Sequence, residues 1–270
     1  MPEINIVLTP GELNKISLPR KQVVMIDTLR AGTTIITALN NGARAVIPFR
    51  SVRIMKKYYA RLKNKDDFLL AGEEEMQGIN GFHLGNSPLE FKQSVVAEKI
   101  ILLKTNNGTE VLKKISKTVF KRKINIYIGG LINSQAVINK IANKNRDVYL
   151  ICAGNHGTFS LEDFFTTGRF CSLLKYEGWE GDDLTVAASR IYKDNCAYQE
   201  IIKLFYHSCY GQNLLKIGHE RDIKYASRVD FLSVVPVFNG HLIIPADKSI
   251  DTNFNNQPIK VFGKQYVASA

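Results

Sequence analysis

Asp27 ends an apolar run, Val23-Val24-Met25-Ile26, and is followed by Arg30 and then by Thr33-Thr34. A carboxylate so placed closes a buried strand and points into the crevice beyond it. A guanidinium fork, two hydroxyls and the first N–H groups of a helix together suit a phosphate, because the fork pairs with two oxygens and the helix start favours negative charge. Asp27 itself could hold Mg²⁺ or act as the nucleophile. The plainer alternative is a carboxylate that caps its own loop and pairs with Arg30. Asn106-Asn107-Gly108-Thr109 offers a second cradle, with Gly108 allowing close backbone approach, although this is also ordinary turn chemistry. Glu162-Asp163 fall in the first turn of an expected helix, where they could share a magnesium ion or merely favour the dipole. Glu73-Glu74-Glu75 end a strand, and one of the three, Glu73, is the natural one to face a site. Cys152 reads as a small buried residue beside Ala153-Gly154, with a thiolate nucleophile as the sharper alternative. His83 and His156 lie in loops and show no metal-ligand spacing.

The elements that must position these groups share one local grammar of apolar strand, small polar loop and helix. It occurs at residues 23–34, 101–109, 124–134 and 148–163. Such βα junctions gather at the carboxyl edge of a sheet, where open α/β sheets bind ligands. Further strands are expected at 4–8, 46–48 and 68–72, and over Phe231–Phe238. Helices are expected at 33–41, 51–64, 109–116, 160–176, 183–194, 199–208 and 219–230. In the helix at 51–64 the apolar stripe is read as Ile54, Tyr58 and Leu62. Asn133-Ser134 suit an N-cap, and Ser160 to Asp163 fit a capping signature. The alternation predicts an α/β fold, three-layer αβα, with a largely parallel or mixed sheet covered on both faces. Residues 1–248 read as a single domain, or two subdomains, and 249–270 as a tail or an added edge strand.

With 270 residues the chain can bury a substantial core, and its 45% hydrophobic and 23% charged composition is that of a soluble globular protein. No apolar run reaches the length of a membrane span, and the start MPEINIVLTP lacks a signal-peptide pattern, so a cytoplasmic location is expected. The net charge of +11 raises nucleic-acid binding, but the basic residues fall on expected helix exteriors: Arg44 to Lys65, Lys113 to Lys123, and Lys140 to Arg146. Without a nucleic-acid motif they read as solvated faces that also attract a small, multiply charged anion. The expected partner is a small anionic phosphorylated substrate, with no membrane and no nucleic acid, and a homodimer is the assembly allowed for.

Taken in order, IDTLRAGTTIITALNNGA, AGEEEMQGINGFHLGNSPLEF, KTNNGTEVL and CAGNHGTFSLEDFFTTG resemble the 2-phosphosulfolactate phosphatase family, the ComB-type enzymes of coenzyme M biosynthesis. VVPVF with the following Gly240 also fits, and the resemblance runs from about Val23 to Leu242. It implies a Mg²⁺-dependent hydrolase that converts (R)-2-phospho-3-sulfolactate to 3-sulfolactate and phosphate. Asp27, Arg30, Thr33, Thr34, Glu73, Gly85, Asn86, Ser87, Asn107, Gly108, Thr109, Asn133, Gly154, Glu162 and Asp163 fall on motif positions. Chemistry then assigns the ion to Asp27, Glu162 and Asp163 with help from Glu73, catalysis to Asp27, Arg30 and Glu162, and the phosphate oxygens to Arg30, Thr33, Thr34, Asn107 and Thr109. Three positions depart from the family pattern: Glu74 and Glu110 stand where arginines are expected, and His83 where an aspartate is. If those arginines bind an acid group, a changed substrate follows, or a non-catalytic anion-binding protein on the same fold.

Overall fold

The protein is described as a computed structural model covering residues 1–16, 18, 21–122, 124, 126–142 and 146–248, with the side chains from 117 to 122 left aside. The segment 249–270, expected as a tail or edge strand, and the basic residues Lys123 and Lys144 lie outside the described residues. The strands are β1 (Glu3–Val7), β2 (Gln22–Ile26), β3 (Ala45–Phe49), β4 (Phe68–Glu74), β5 (Gln77–Gly78), β6 (Ile100–Lys104), β7 (Ile126–Gly129), β8 (Val148–Cys152), β9 (Glu180–Gly181), β10 (Pro236–Phe238) and β11 (Ile243–Pro245). The helices are α1 (Ala31–Asn40), α2 (Val52–Ala60), α3 (Gln93–Val96), α4 (Asn107–Arg122), α5 (Ser134–Ile141), α6 (Leu161–Tyr176), α7 (Asp183–Asp194), α8 (Tyr198–His207), α9 (Cys209–Lys216) and α10 (Glu220–Ala226).

All eleven strands form one mixed sheet, in the order β5-β4-β6-β3-β11-β10-β7-β2-β8-β1-β9. It consists of two parallel segments, β4-β6-β3 and β7-β2-β8-β1, joined by the antiparallel hairpin β10-β11. The α/β fold with helices on both faces is thus the one the alternation predicts.

Side-chain alternation along the strands decides how the layers stack. Val23 and Met25 of β2, Ile126 and Ile128 of β7, Val46 of β3, and Ile101 and Leu103 of β6 share one core with Ile35, Ile36 and Leu39 of α1 and Val111, Leu112 and Ile115 of α4. The intervening residues Val24, Ile26 and Tyr127 face the opposite side, against Val137 and Ile141 of α5 and Phe170 and Leu174 of α6. Ile100, Leu102, Ala45, Ile47 and Phe49 likewise turn outward, against Met55 of α2. Both parallel segments therefore pack their inner face on the same two helices. The sheet curls around α1 and α4, in keeping with the right-handed twist that accumulates across many strands. The curl brings the carboxyl ends of β2, β4 and β6 to one place.

Some elements differ from the sequence reading. The buried stripe of α2 is set by Met55, with Leu62 just beyond the helix, while Ile54 is exposed. α9 and β11 are additional to the expected elements, and β10 occupies only the last part of the strand expected over Phe231–Phe238. A run of three residues in β11 is too short to show a period against its turn-rich surroundings. No helix among the described residues is long and apolar enough to cross a membrane.

Candidate active site

The loops after β2, β4 and β6 and the turn after β8 enclose a cavity of about 50 Å³, with Tyr210 of α9 closing one side. Its lining includes Asp27, Arg30, Glu73, Asn86, Asn106, Asn107 and His156.

Asp27 sits where the strand pattern places it, 4% exposed at the end of β2. Its Oδ2 accepts the N–H of Gly108 at 3.1 Å, so the first turn of α4 is aimed at the carboxylate. That approach requires glycine: a Cβ at position 108 would stand 2.8 Å from Oδ2 and 3.2 Å from Cε of Met25. Burial, and after it the charge of Glu73, push the Asp27 carboxyl up to about 7, against the backbone N–H groups of Gly108, Gly32 and Ala31 that favour the ionised form.

Arg30 crosses the cavity floor, 3% exposed. Its Nη1 donates to Oδ2 of Asp222 at 2.8 Å, and its Nη2 pairs with Oε2 of Glu73 and donates to the carbonyl of Met76 at 3.4 Å. The Nε group has no protein partner among the described residues, nor does Oδ1 of Asn86. Both residues line the cavity, leaving a buried donor and a buried acceptor for a ligand. Glu73 is held on its other oxygen by Nδ2 of Asn86 at 2.8 Å and the Tyr210 hydroxyl at 3.0 Å. Burial and then the charge of Glu73 raise the Tyr210 phenol above its ordinary range, so it remains a donor.

The other expected phosphate ligands are buried in the walls. The Thr33 hydroxyl donates to the carbonyl of Thr28 at 2.8 Å, and that of Thr34 to the carbonyl of Asn86 at 2.8 Å. The Thr109 hydroxyl donates to the carbonyls of Thr105 and Asn106. Ser87 donates to Oδ1 of Asp222 at 2.5 Å. Asn133 brackets a distant turn: Oδ1 accepts from Gly130 N–H at 3.0 Å, and Nδ2 donates to the carbonyls of Ile128 and Val234 at 3.3 and 3.0 Å.

The carboxylates expected to share an ion are divided. Asp27 and Glu73 line the cavity, while Glu162 and Asp163 stand behind it at the start of α6. Ser160 caps that helix, accepting from the Asp163 N–H at 3.2 Å, as its signature predicts. Asp163 accepts the Thr28 N–H at 2.8 Å on one oxygen and the Gly154 N–H at 3.0 Å on the other, fastening the loop after β2 to the turn after β8. Gly154 adopts φ +70, and a Cβ there would meet the Thr158 carbonyl oxygen at 2.5 Å, so this turn also needs glycine. Burial, then Asp27 and then Glu162, raise the Asp163 carboxyl well above the usual carboxylate range. Burial raises the Glu162 carboxyl, against hydrogen bonding from its own backbone and from Ser208 and Ser160 that favours the ionised form. Among the described residues no three His, Cys, Asp or Glu side chains gather as a metal cluster.

Cys152 is buried beside the Thr167 hydroxyl at 3.4 Å, and burial raises its thiol, the condition of an inert core residue. The departures Glu74, Glu110 and His83 surround the cavity rather than line it. Glu110 lies 3.5 Å from Nη2 of Arg50 and 3.9 Å from Nζ of Lys114, and Nδ1 of His83 accepts the Leu70 N–H at 2.8 Å. Tyr210, Asp222 and Lys104 are contributions the sequence reading missed. A buried Asp222 facing inward from a short helix carries no spacing signal; the only hint was a carboxylate on the apolar face of HERDIKYA.

Comparison with known proteins gives one consistent result. The sequence model described as 2-phosphosulpholactate phosphatase matches residues 7–241. Three relatives share the printed name "Probable 2-phosphosulfolactate phosphatase". That of Caldanaerobacter subterraneus subsp. tengcongensis is 38% identical over 242 residues, covering 87% of this chain and 95% of the relative. That of Thermotoga maritima is 37% identical, covering 83% of this chain and 92% of the relative. That of Clostridium kluyveri is 33% identical, covering 87% and 95%.

Proposed function

The chain belongs to the 2-phosphosulpholactate phosphatase family, and from that premise we propose that it is a phosphoric monoester hydrolase acting on 2-phospho-3-sulfolactate or a close analogue. The observation that carries the reading is the cavity itself. A buried carboxylate, Asp27, and a buried guanidinium, Arg30, line it together, and the Arg30 Nε–H has no partner among the described residues.

Phosphate bound there would receive Arg30 Nε–H on one oxygen and backbone N–H groups of the Asn106-Asn107 turn on others, in front of the α4 N-terminus. Water held against Asp27 would attack phosphorus in line with the ester oxygen, which leaves with a proton. Positioning and charge stabilisation supply most of the rate in such transfers. Arg30 stays oriented because its two Nη groups are anchored on Glu73 and Asp222.

Magnesium fits this site on electrostatic grounds. Asp27 is a desolvated carboxylate repelled by Glu73, and Mg²⁺ commonly uses one or two carboxylates with water and substrate phosphate. Asp27 with Glu73 would hold it, and it would supply neutralisation of charge on the phosphate oxygens. Holding the cation and receiving a proton from water both need ionised Asp27.

Phosphate release from 2-phospho-3-sulfolactate, measured with Mg²⁺ and with a chelator, tests the proposal. Turnover that needs Mg²⁺ and falls at least about a hundredfold in Asp27→Asn is expected from the loss of a charged group in the site. Near-normal turnover in Asp27→Asn would remove Asp27 from the mechanism. Binding without turnover on any 2-phospho acid would leave an anion-binding protein in place of an enzyme.

A further inference from the structure

Lys104 ends β6 and is 2% exposed, yet no carboxylate among the described residues lies within ion-pair distance of it. Its Nζ donates to Oδ1 of Asn106 at 2.7 Å. A lysine can only donate, so this bond fixes which branch of the Asn106 amide faces it, and Nδ2 must be the other branch. The neighbouring Asn107 is set in the same sense: its Oδ1 accepts the backbone N–H of His156 at 3.2 Å. Both asparagines line the cavity. No described residue accepts from either Nδ2. The result is a pair of adjacent amide donors with a buried, unpaired ammonium behind one of them. A buried ammonium with no carboxylate in contact is costly: burial lowers the Lys104 ammonium from its ordinary range even though the charges of Glu74 and Glu73 favour it, and a bound anion relieves that cost.

We propose that the Asn106-Asn107 pair, oriented by Lys104 and the His156 N–H, recognises the second acidic group of the substrate, a carboxylate or sulfonate carried next to the phosphoester. Lys104 is the positioning residue of this wall, and Asn106 its outermost donor. The inference deepens the phosphatase reading and rests on it. It also explains how the chain can handle a multiply charged acid with glutamates at positions 74 and 110: the cation that serves recognition comes from the strand end at 104.

The test compares kcat/KM for three esters: 2-phospholactate, 2-phospho-3-sulfolactate and 4-nitrophenyl phosphate, which carries no second acid. The variants are Asn106→Ala, Lys104→Met and Lys104→Arg. The readout is selectivity, the ratio of kcat/KM for each acid ester to that for 4-nitrophenyl phosphate. Selectivity should fall about tenfold or more in Asn106→Ala and Lys104→Met, the usual size of a hydrogen bond to a charged group, mainly through KM. Lys104→Arg, which still only donates, should recover part of it. A fall for both esters assigns the wall to the carboxylate they share, and a fall for 2-phospho-3-sulfolactate alone assigns it to the sulfonate. Unchanged selectivity in Asn106→Ala overturns the inference; this residue is exposed, so folding is not at issue. If the wild type releases no phosphate from any ester, the phosphatase reading fails separately. Calorimetric binding of 2-phospholactate to wild type and Asn106→Ala then decides the inference, with equal affinities overturning it.

Discussion

Asp27 makes opposite demands on stability and on function. Its carboxyl is raised from 3.8 to about 7 in the folded protein, chiefly by burial. A group with a raised folded pKa contributes stability that is complete below the unfolded value and is lost as pH rises through the folded one. The window here runs from about pH 4 to pH 7. Asp27→Asn, which carries no charge, should therefore gain in melting temperature over wild type more at pH 8 than at pH 5, measured in chelator. Added Mg²⁺ should raise the wild-type melting temperature at pH 8 and leave that of Asp27→Asn unmoved; equal shifts in both would place the ion elsewhere. Because cation and proton compete for one carboxylate, the acidic limb of the rate profile should titrate near pH 7 and move lower as Mg²⁺ is raised. Asp222 is the second residue with leverage. Its Asp222→Ala variant leaves Arg30 with one anchor and the Ser87 hydroxyl without its acceptor, and should cost roughly 3–5 kcal/mol in denaturant unfolding. Asp27 was legible in the sequence because a carboxylate directly after four apolar residues is carried into the interior by its own strand, where a charge needs a partner or a ligand. Asp222 was not, because a carboxylate on the apolar face of a short helix does not say which distant residue it pairs with.

At the scale of elements, the helix start of α6 does structural duty that its sequence advertises only in part. The Ser160 cap was readable from S-x-x-D, since capping is a local hydrogen bond. That Asp163 also holds the N–H groups of Thr28 and Gly154 depends on which strands lie side by side, which no short window contains. Asp163→Ala strands two buried donors, each costing about 1–3 kcal/mol, and should destabilise the protein by about 2–6 kcal/mol in urea unfolding. Phosphate release should fall with it, because the loop carrying Asp27 and Arg30 loses its tie to the turn carrying His156. Ser160→Ala removes only the cap and should cost about 1 kcal/mol. If the two variants prove equally mild, Asp163 is not the fastening described. The similar case of Thr33, Thr34 and Thr109 shows a limit of reading hydroxyls at helix starts as ligands. In this structure their hydroxyls satisfy carbonyls of their own or neighbouring loops, a competing use that the same residues always have.

Across the whole molecule, the strand-loop-helix repeats predicted a largely parallel or mixed sheet and the edge at which its loops open. They did not predict that the segments would be joined by a hairpin from the end of the described chain. The register there is slight, with one pair, Ile243↔Val46, holding β11 to β3. The join rests more on packing, since Phe238, Leu242 and Ile243 are all completely buried. The hairpin has a consequence for biosynthesis. β3 and β7 are made early but have no neighbour on their facing edges until the last described residues leave the ribosome. Until then each half offers an unpaired row of N–H and C=O groups, the template on which other chains add. A chain ended before Pro236 should sediment as aggregate while the full chain stays in the supernatant, because this hairpin is the clasp over both open edges.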